Sequence, residues 1–343
     1  MKLGDKSIKP EEKVLRIYPQ KNLFSHIIGQ IDDNNNGISG LEKSFNEILR
    51  KSKTDIKLTV DKDIQFLIRK ELIKYQEIFK SKGSAAILMD VNNGNILSLV
   101  SLPDFDPNQR KNITDINLIN RVTKGTYELG SVFKPFTFAS ALNKDLIKPE
   151  TEFLNLPKSI RCEKHRIGEY DNEIPSDLSA EQILIRSGNI GSVRIAQKIG
   201  PEKYKSFLEK IGVLSQISFD IEEVAPQKNY NFGKCKLATA SYGHGIATTI
   251  LQLAKGYSII SNGGFDIKPT LINKSIQNNK KGTRILKKGV SAQVVKALRK
   301  IVNTEEGTAK FANVLNYEIG GKTGTADQPK DGSYSEAKIN TFA

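Results

Sequence analysis

The stretch NRVTKGTYELGSVFKPFTFASALNKDL, residues 120–146, decides how this chain is read. Pro135 fixes where its helix begins, because proline is tolerated only in the first turn, where backbone N–H groups have no carbonyl partner. Ser131 is therefore predicted at the helix N-terminus, beside the positive end of the helix dipole. Lys134 follows three residues later on the same face, within reach of the Ser131 hydroxyl. Held among Phe133, Phe136 and Phe138, such a lysine loses its proton more readily than in water and becomes a usable base. An isolated S-x-x-K is frequent by chance, and the plain alternative is a surface serine and lysine sharing one turn.

Two triplets downstream supply what that pair lacks. Ser187-Gly188-Asn189 follows the predicted helix SAEQILIR. Alone, S-x-N is a loop or helix-end signature. In a site it offers a second hydroxyl to relay a proton and an amide that donates to a carbonyl and accepts from an amine. Lys322-Thr323-Gly324-Thr325 falls in a predicted strand, YEIGGKTGTA, beside Gly320 and Gly321. Clustered glycines in a strand mark the close approach of another backbone. A peptide substrate can add to such a strand, its carboxylate held by Lys322 and the threonine hydroxyls; the alternative is an ordinary glycine-rich turn.

Around these motifs the pattern alternates strand and helix. IKLTV reads as a strand and Asp61 as a helix N-cap, followed by one apolar face of Ile64, Leu67, Ile68, Leu72, Tyr75 and Phe79. SAAILMDV and NILSLVS, joined through Asn92-Asn93-Gly94, predict a hairpin. Residues 1–55 are irregular apart from LEKSFNEILRK, and 131–315 are largely helical, with ILQLAKGYSIIS and SAQVVKALRKIV as further helices. The expected class is α+β, with helices packed on an antiparallel sheet.

Composition excludes several functions. The chain has 343 residues, a net charge of +14, 38% hydrophobic and 26% charged residues, which is not the composition of a collagen, a low-complexity chain or a disulfide-stapled mini-protein. Lysines are spread along the chain as a solvated surface, whereas a nucleic-acid binder gathers basic residues on one face; no nucleic-acid partner is expected. No run reaches the ~18 apolar residues of a membrane-spanning helix, and MKLGDKSIKPEEKVLRIYPQ lacks the apolar core of a secretory signal. Cys162 and Cys235 match no metal or C-x-x-C spacing and leave the redox compartment open. His26, His165 and His244 show no ligand spacing and read as structural.

In order and spacing, S-x-x-K at 131–134, S-x-N at 187–189 and K-T-G at 322–324 resemble the active-site set of penicillin-recognising serine enzymes. The chain resembles a class B penicillin-binding protein, a monofunctional peptidoglycan transpeptidase. The likeness extends through PDFDPN, NRVTKGTYELGSVFKP, EEGTAKFA and GGKTGTADQP, and upstream through RIYPQKNLFSHIIGQ and NGISGLEKSFNEIL. SYGHGIATTILQLAKGYSIISNGG is closer to the division (septal) subtype. Leu129, Ile250 and His244 depart from the family pattern without touching a chemical group.

The resemblance implies the penicillin-binding-protein transpeptidase fold, an antiparallel sheet flanked by helices and similar to β-lactamases. Residues 1–55 would be a remnant of the non-catalytic pedestal domain and 56–343 the transpeptidase domain. It implies Ser131 as nucleophile, Lys134 as base, Ser187 as proton relay assisted by Lys322, and Asn189 as the residue orienting the substrate amide. Thr323, Gly324 and Thr325 would bind the substrate carboxylate, with N–H groups of Ser131 and Thr325 forming the oxyanion hole. Neither metal nor organic cofactor is implied. Implied partners are stem peptides ending in D-Ala-D-Ala, β-lactams as inhibitors, and membrane proteins of the division apparatus, at the periplasmic face of the inner membrane.

Set against the family, the anchor helix and most of the pedestal are absent from the N-terminal side. After KINTFA an interior strand and a closing helix are absent from the C-terminal side. The expectation is a fragment carrying every catalytic side chain, with an unpaired strand edge costing about 1–3 kcal/mol per buried orphan group, and unlikely to fold or turn over alone. Two other readings remain from the residues: a β-lactamase-like hydrolase, although Glu-x-x-Leu-Asn does not follow Ser187-Gly188-Asn189, and a non-catalytic penicillin-binding or sensor module.

Overall fold

A computed structural model describes residues 15–51, 55–109, 113–163, 165–221, 230–273, 282–330 and 333–343. Residues 1–14, the start of the segment assigned to the pedestal remnant, lie outside these. Three short helices, α1 (Ser25–Ile28), α2 (Gly40–Ser44) and α3 (Asn46–Lys51), precede the long helix α4 (Lys62–Ile78). Asp61 opens α4 as predicted, its carboxylate accepting from the N–H groups of Asp63 at 2.9 Å and Ile64 at 3.0 Å, two of the donors every helix start leaves open. Next comes the hairpin of β1 (Ser84–Met89) and β2 (Ile96–Leu102), antiparallel with Ile87 opposite Leu99. Its turn places Gly94 at φ +81°, a conformation that costs glycine little.

After α5 (Asp115–Leu118), a 3-10 turn over Gly130–Phe133 leads into α6 (Lys134–Asn143). Strand β3 (Glu152–Phe153) is followed by the hairpin β4 (Ser159–Cys162) and β5 (His165–Gly168), and then by β6 (Leu178–Ser179), which returns to β3. Helices α7 (Ala180–Ile185), α8 (Asn189–Ile199), α9 (Pro201–Lys210), α10 (Lys234–Ala240), α11 (Ile250–Ser261) and α12 (Val290–Asn303) come next. The described chain closes with antiparallel β7 (Thr323–Lys330) and β8 (Ser333–Phe342).

Helix α6 is the axis of the main core. Every residue from Lys134 to Leu142 is buried, so the helix is enclosed on all sides instead of burying one stripe. Helices α7, α8, α9, α11 and α12 surround it, joining Phe133, Phe136, Ile183, Val193, Leu208 and Val294 in one cluster. A smaller core gathers Ile27 and Leu41 from the N-terminal segment with Ile96, Leu99, Val122, Leu251 and Leu271. The α+β class holds, and three details differ from the sequence reading.

IKLTV is not a strand: Leu58 makes a single bridge to Ile272, with Thr59 N–H donating to Leu271 O at 2.8 Å. β-Branched residues form a strand only where a partner runs alongside. On α4, Leu67, Tyr75 and Phe79 are exposed, along with Phe66 and Ile78. The buried side chain there is polar, Gln65. Its amide donates to Leu23 O at 3.0 Å and Leu99 O at 2.8 Å, and accepts from Ser98 Oγ at 2.7 Å and Leu99 N–H at 2.9 Å. All four of its hydrogen-bonding capacities are used, so Gln65 stands where another strand would pair with β2. Lastly, strands pair only two by two among the described residues, and β1–β2 and β7–β8 are not joined. The last strand begins at Ser333, ahead of KINTFA. No described helix is long and apolar enough to cross a membrane.

Cys162, at the end of β4, is disulfide-bonded to Cys235 in α10, with Cα atoms 5.6 Å apart. A separation of 73 residues left this pairing open in the sequence; the packing of the β4–β5 hairpin against the helices closes it. Cys235→Ser is expected to lower stability by about 2–4 kcal/mol, read as a lower denaturant midpoint, with an m-value that rises because the unfolded chain expands without the cross-link. Equal midpoints for the variant and the oxidised protein would contradict a structural role for this bond.

Candidate active site

The turn that carries Ser131 is held from three sides. Tyr257 of α11 donates its hydroxyl to Val132 O at 2.8 Å. Gly130, at φ +63°, lies so close to β7 that a Cβ there would meet Thr325 O at 2.4 Å. Gly243, at φ +82°, approaches from the other side, where a Cβ would meet Gly130 O at 2.0 Å, and Gly130 N–H donates to Gly243 O at 3.3 Å. Only glycine satisfies both the left-handed backbone and the contact distance. Ser131 is thereby presented, half-buried, at the head of α6.

The Ser187-Gly188-Asn189 triplet is the junction between two helices. Helix α7 ends with Gly188 N–H donating to Ile183 O at 2.9 Å and Ser187 N–H to Leu184 O at 3.2 Å, a left-handed cap normally closed by glycine. Here serine takes that place at φ +58°, at a cost of about 1–2 kcal/mol for an L-residue. Gly188 caps α8, and Asn189 is its first residue. The tight junction points three oxygens at one amine. Lys134 Nζ donates to Ser187 O at 2.5 Å, Ser187 Oγ at 3.0 Å and Asn189 Oδ1 at 2.8 Å. The orientation of the Asn189 amide is set by its Nδ2, which donates to Gly168 O at 2.9 Å. Behind the junction, the Glu169 carboxylate accepts from Asn189 N–H at 2.6 Å and Ile190 N–H at 2.9 Å.

Lys134 is 1% exposed. Burial pushes its pKa well below the ordinary lysine value, and the charge of Lys322 adds to that, while Glu169 opposes it. An ammonium has three donors and matches three oxygens; an amine has two donors and one lone pair. Of the three oxygens, only Ser187 Oγ carries a proton and can reverse its bond. In its neutral form Lys134 therefore directs its lone pair to the hydroxyl of Ser187.

Strand β7 forms the third wall. Lys322 and Ala343 exchange N–H···O bonds of 2.7 and 3.1 Å, while Thr323 lies opposite Phe342 and Thr325 opposite Asn340. Antiparallel pairs alternate between bonded and non-bonded, so Thr323 and Thr325 direct their N–H and C=O groups away from β8, along the edge that packs on the Ser131 turn. Gly324 is buried beneath that edge, where a Cβ would stand 2.4 Å from Leu129 O. Thr323 Oγ1 donates to Thr308 Oγ1 at 3.1 Å, and the exposed Thr325 donates to Asn340 Oδ1 at 3.2 Å. Lys322 is fully buried, donates to Thr323 O at 2.9 Å, and is pushed down to about 7 by burial.

The structure thus joins Lys134, Ser187 and Asn189 through hydrogen bonds, and brings Ser131, Lys322 and the Thr323–Thr325 edge around them. Sequence reasoning missed Glu169, Tyr257 and Thr308. Glu169 sits in the polar run GEYDNE and Tyr257 inside a helix read only as apolar, so neither carried a local signal. His26 is a core residue, edge-on to Phe105 with ring centroids 5.5 Å apart and lowered to about 4, chiefly by burial. His244 differs from a purely structural histidine: its pKa is lowered, mainly by burial, and it lies within the fields of Glu128, Lys134 and Asp327.

A serine at a helix start, a buried lysine, a Ser/Asn junction and a strand edge with outward amides thus meet in one place. The sequence profile of the penicillin binding protein transpeptidase domain matches residues 84–343. The chain belongs to that family. It is 28% identical to the probable peptidoglycan D,D-transpeptidase FtsI of Caulobacter vibrioides, over 99% of this chain and 59% of that protein. It is likewise 28% identical to PenA of Neisseria meningitidis, over 99% of this chain and 63% of the relative. The chain thus spans about three-fifths of the length of these curated relatives. Among solved structures, the apo transpeptidase domain of Burkholderia pseudomallei penicillin-binding protein 3 is 27% identical and superposes with a TM-score of 0.73, covering 85% of this chain and 83% of that one. Penicillin-binding protein 3 of Mycobacterium tuberculosis in complex with ampicillin gives 25% identity and a TM-score of 0.85, over 96% and 79%.

Two outcomes follow from this geometry. Ser187→Gly should be more stable than Ser187→Ala by about 1 kcal/mol, because only alanine keeps the left-handed strain; equal unfolding midpoints would remove the strain. Between pH about 7 and 10.5 the unfolded chain holds a proton on Lys322 that the folded chain has released. The contribution of Lys322 to stability should therefore rise with pH across that window, so the wild type should show a more positive slope than Lys322→Met. Equal slopes for the two proteins contradict a neutral buried Lys322.

Proposed function

We propose that this chain carries the catalytic site of a peptidoglycan D,D-transpeptidase of the division type, working by serine acyl transfer. The observation that carries the reading is Lys134, three residues after Ser131, buried and donating to Ser187 and Asn189. Ser131 Oγ attacks the carbonyl of the penultimate D-alanine while its proton passes to Lys134. The N–H groups of Ser131 and of Thr325 at the β7 edge receive the developing oxyanion. As the C–N bond breaks, the proton returns through Ser187 to the departing D-alanine amine, with Lys322 beside it. Asn189 orients the stem-peptide amide, and Thr323 and Thr325, with Gly324 between them, take its terminal carboxylate. An amine from a second stem then attacks the acyl-enzyme, forms the cross-link and frees Ser131.

Relatives named as D,D-transpeptidases support the substrate class. Mycobacterium tuberculosis penicillin-binding protein 3 complexes with aztreonam and ampicillin support β-lactams as covalent inhibitors. The Cys162–Cys235 disulfide fits an oxidising compartment, in keeping with the periplasmic face of the inner membrane and with membrane-bound division proteins as partners.

The test is labelling of folded protein with a fluorescent penicillin. The wild-type chain should form a stable adduct, Ser131→Ala none, and Lys134→Ala an adduct formed about 10²–10⁴-fold more slowly. Absence of a Ser131-dependent adduct rejects the reading. Rapid turnover of a chromogenic β-lactam would replace it with a hydrolase, and stable acylation without turnover of a stem-peptide analogue with a sensor module.

A further inference from the structure

We propose that Glu169 is a positioning residue of this site, fixing Ser187 and Asn189 and, through them, Lys134; the proposal rests on the transpeptidase reading above.

Helix α8 begins with open backbone donors, as every helix does, and its N-cap residue is Gly188, which has no side chain to satisfy them. A serine or aspartate at that position would normally do so. Here the carboxylate arrives from another element. Glu169 follows β5 and accepts from Asn189 N–H at 2.6 Å and Ile190 N–H at 2.9 Å. Charge-assisted bonds of this kind are stronger than neutral ones, and a carboxylate at a helix N-terminus is further favoured by the helix dipole. The neighbouring Gly168 O accepts from Asn189 Nδ2 at 2.9 Å. The end of β5 therefore grips Asn189 by backbone and side chain together, which turns Oδ1 toward Lys134 Nζ at 2.8 Å. The hairpin supplying this grip is itself anchored, because Cys162 of β4 is bonded to Cys235 of α10.

The carboxylate also acts through charge. Among the described residues, three charged or titratable groups from separate segments face Lys134: Lys322 just before β7, His244 from the loop before α11, and Glu169 just after β5. Glu169 is the one whose charge favours the protonated amine, against burial and Lys322. One side chain thus sets both where the acceptors of Lys134 stand and how readily Lys134 gives up its proton. A residue that merely stabilised the fold would set neither.

The experiment compares wild type with Glu169→Gln and Glu169→Asp in the whole chain. Amide exchange of Asn189 and Ile190 is followed together with the NMR titration of the Lys134 side chain and the rate of penicillin acylation. Glutamine keeps one acceptor and loses the charge. Exchange at residues 189 and 190 should rise, and acylation should fall, each about tenfold, while the Lys134 midpoint moves to lower pH. Aspartate keeps the charge at shorter reach, so exchange should rise with the midpoint near its wild-type value. A folded Glu169→Gln protein with unchanged exchange and an unmoved midpoint overturns the proposal. So does a loss of acylation accompanied by no change in either measurement. If Glu169→Gln does not fold, the aspartate variant decides on the same two readouts. A wild-type protein that penicillin never acylates would defeat the transpeptidase reading, while exchange and titration would still judge Glu169.

Discussion

A lysine with 1% of its side chain exposed has to be kept in the core by oxygen atoms, and in this chain those oxygens belong to a junction of three residues. Ser187 supplies a carbonyl and a hydroxyl, and Asn189 an amide oxygen. Displacing the junction as a whole would leave a buried amine without these partners, which costs far more than the bonds themselves contribute. The remaining features near the site act on this contact. The left-handed serine closes α7, Glu169 and Gly168 secure the start of α8, and the buried α6 holds the stem of Lys134 in register.

The turn that carries Ser131 answers a different constraint, crowding. Gly130, Gly243 and the β7 strand meet backbone to backbone, so the position of Ser131 depends on three segments far apart in the sequence. Electrostatics then divides the labour between two buried lysines. Burial lowers both, and among the described residues Lys134 also feels the charge of Lys322 and, opposing it, the carboxylate of Glu169. Two amines of the same type thereby acquire different proton affinities.

Much of the fold and most of the site were legible in the sequence, because the decisive features were local. Pro135 marks a helix start, Asp61 a cap and Asn93-Gly94 a turn, and each acts through its own backbone. The three motifs were legible as a set, since order and spacing carry information that a single triplet lacks. What stayed hidden depends on partners far along the chain. Glu169 caps a helix that begins twenty positions later, Tyr257 reaches Val132 across the core, and Gln65 serves β2 in place of a strand. The apolar face of α4 shows the same limit from the other side: its period is plain in the sequence, yet Phe66, Leu67 and Phe79 are exposed here. Periodicity identifies a face but not what lies against it.

Burial lowers the proton affinity of Lys134 well below that of a lysine in water, which suits it to the role of base in the proposed acyl transfer. The pH dependence of the rate at which benzylpenicillin acylates Ser131 in the wild-type chain tests it most directly. The rate should rise and level off well below pH 10.5, the ordinary value of a lysine. A rate that climbs only as the pH approaches that value, as for a lysine in water, would contradict it.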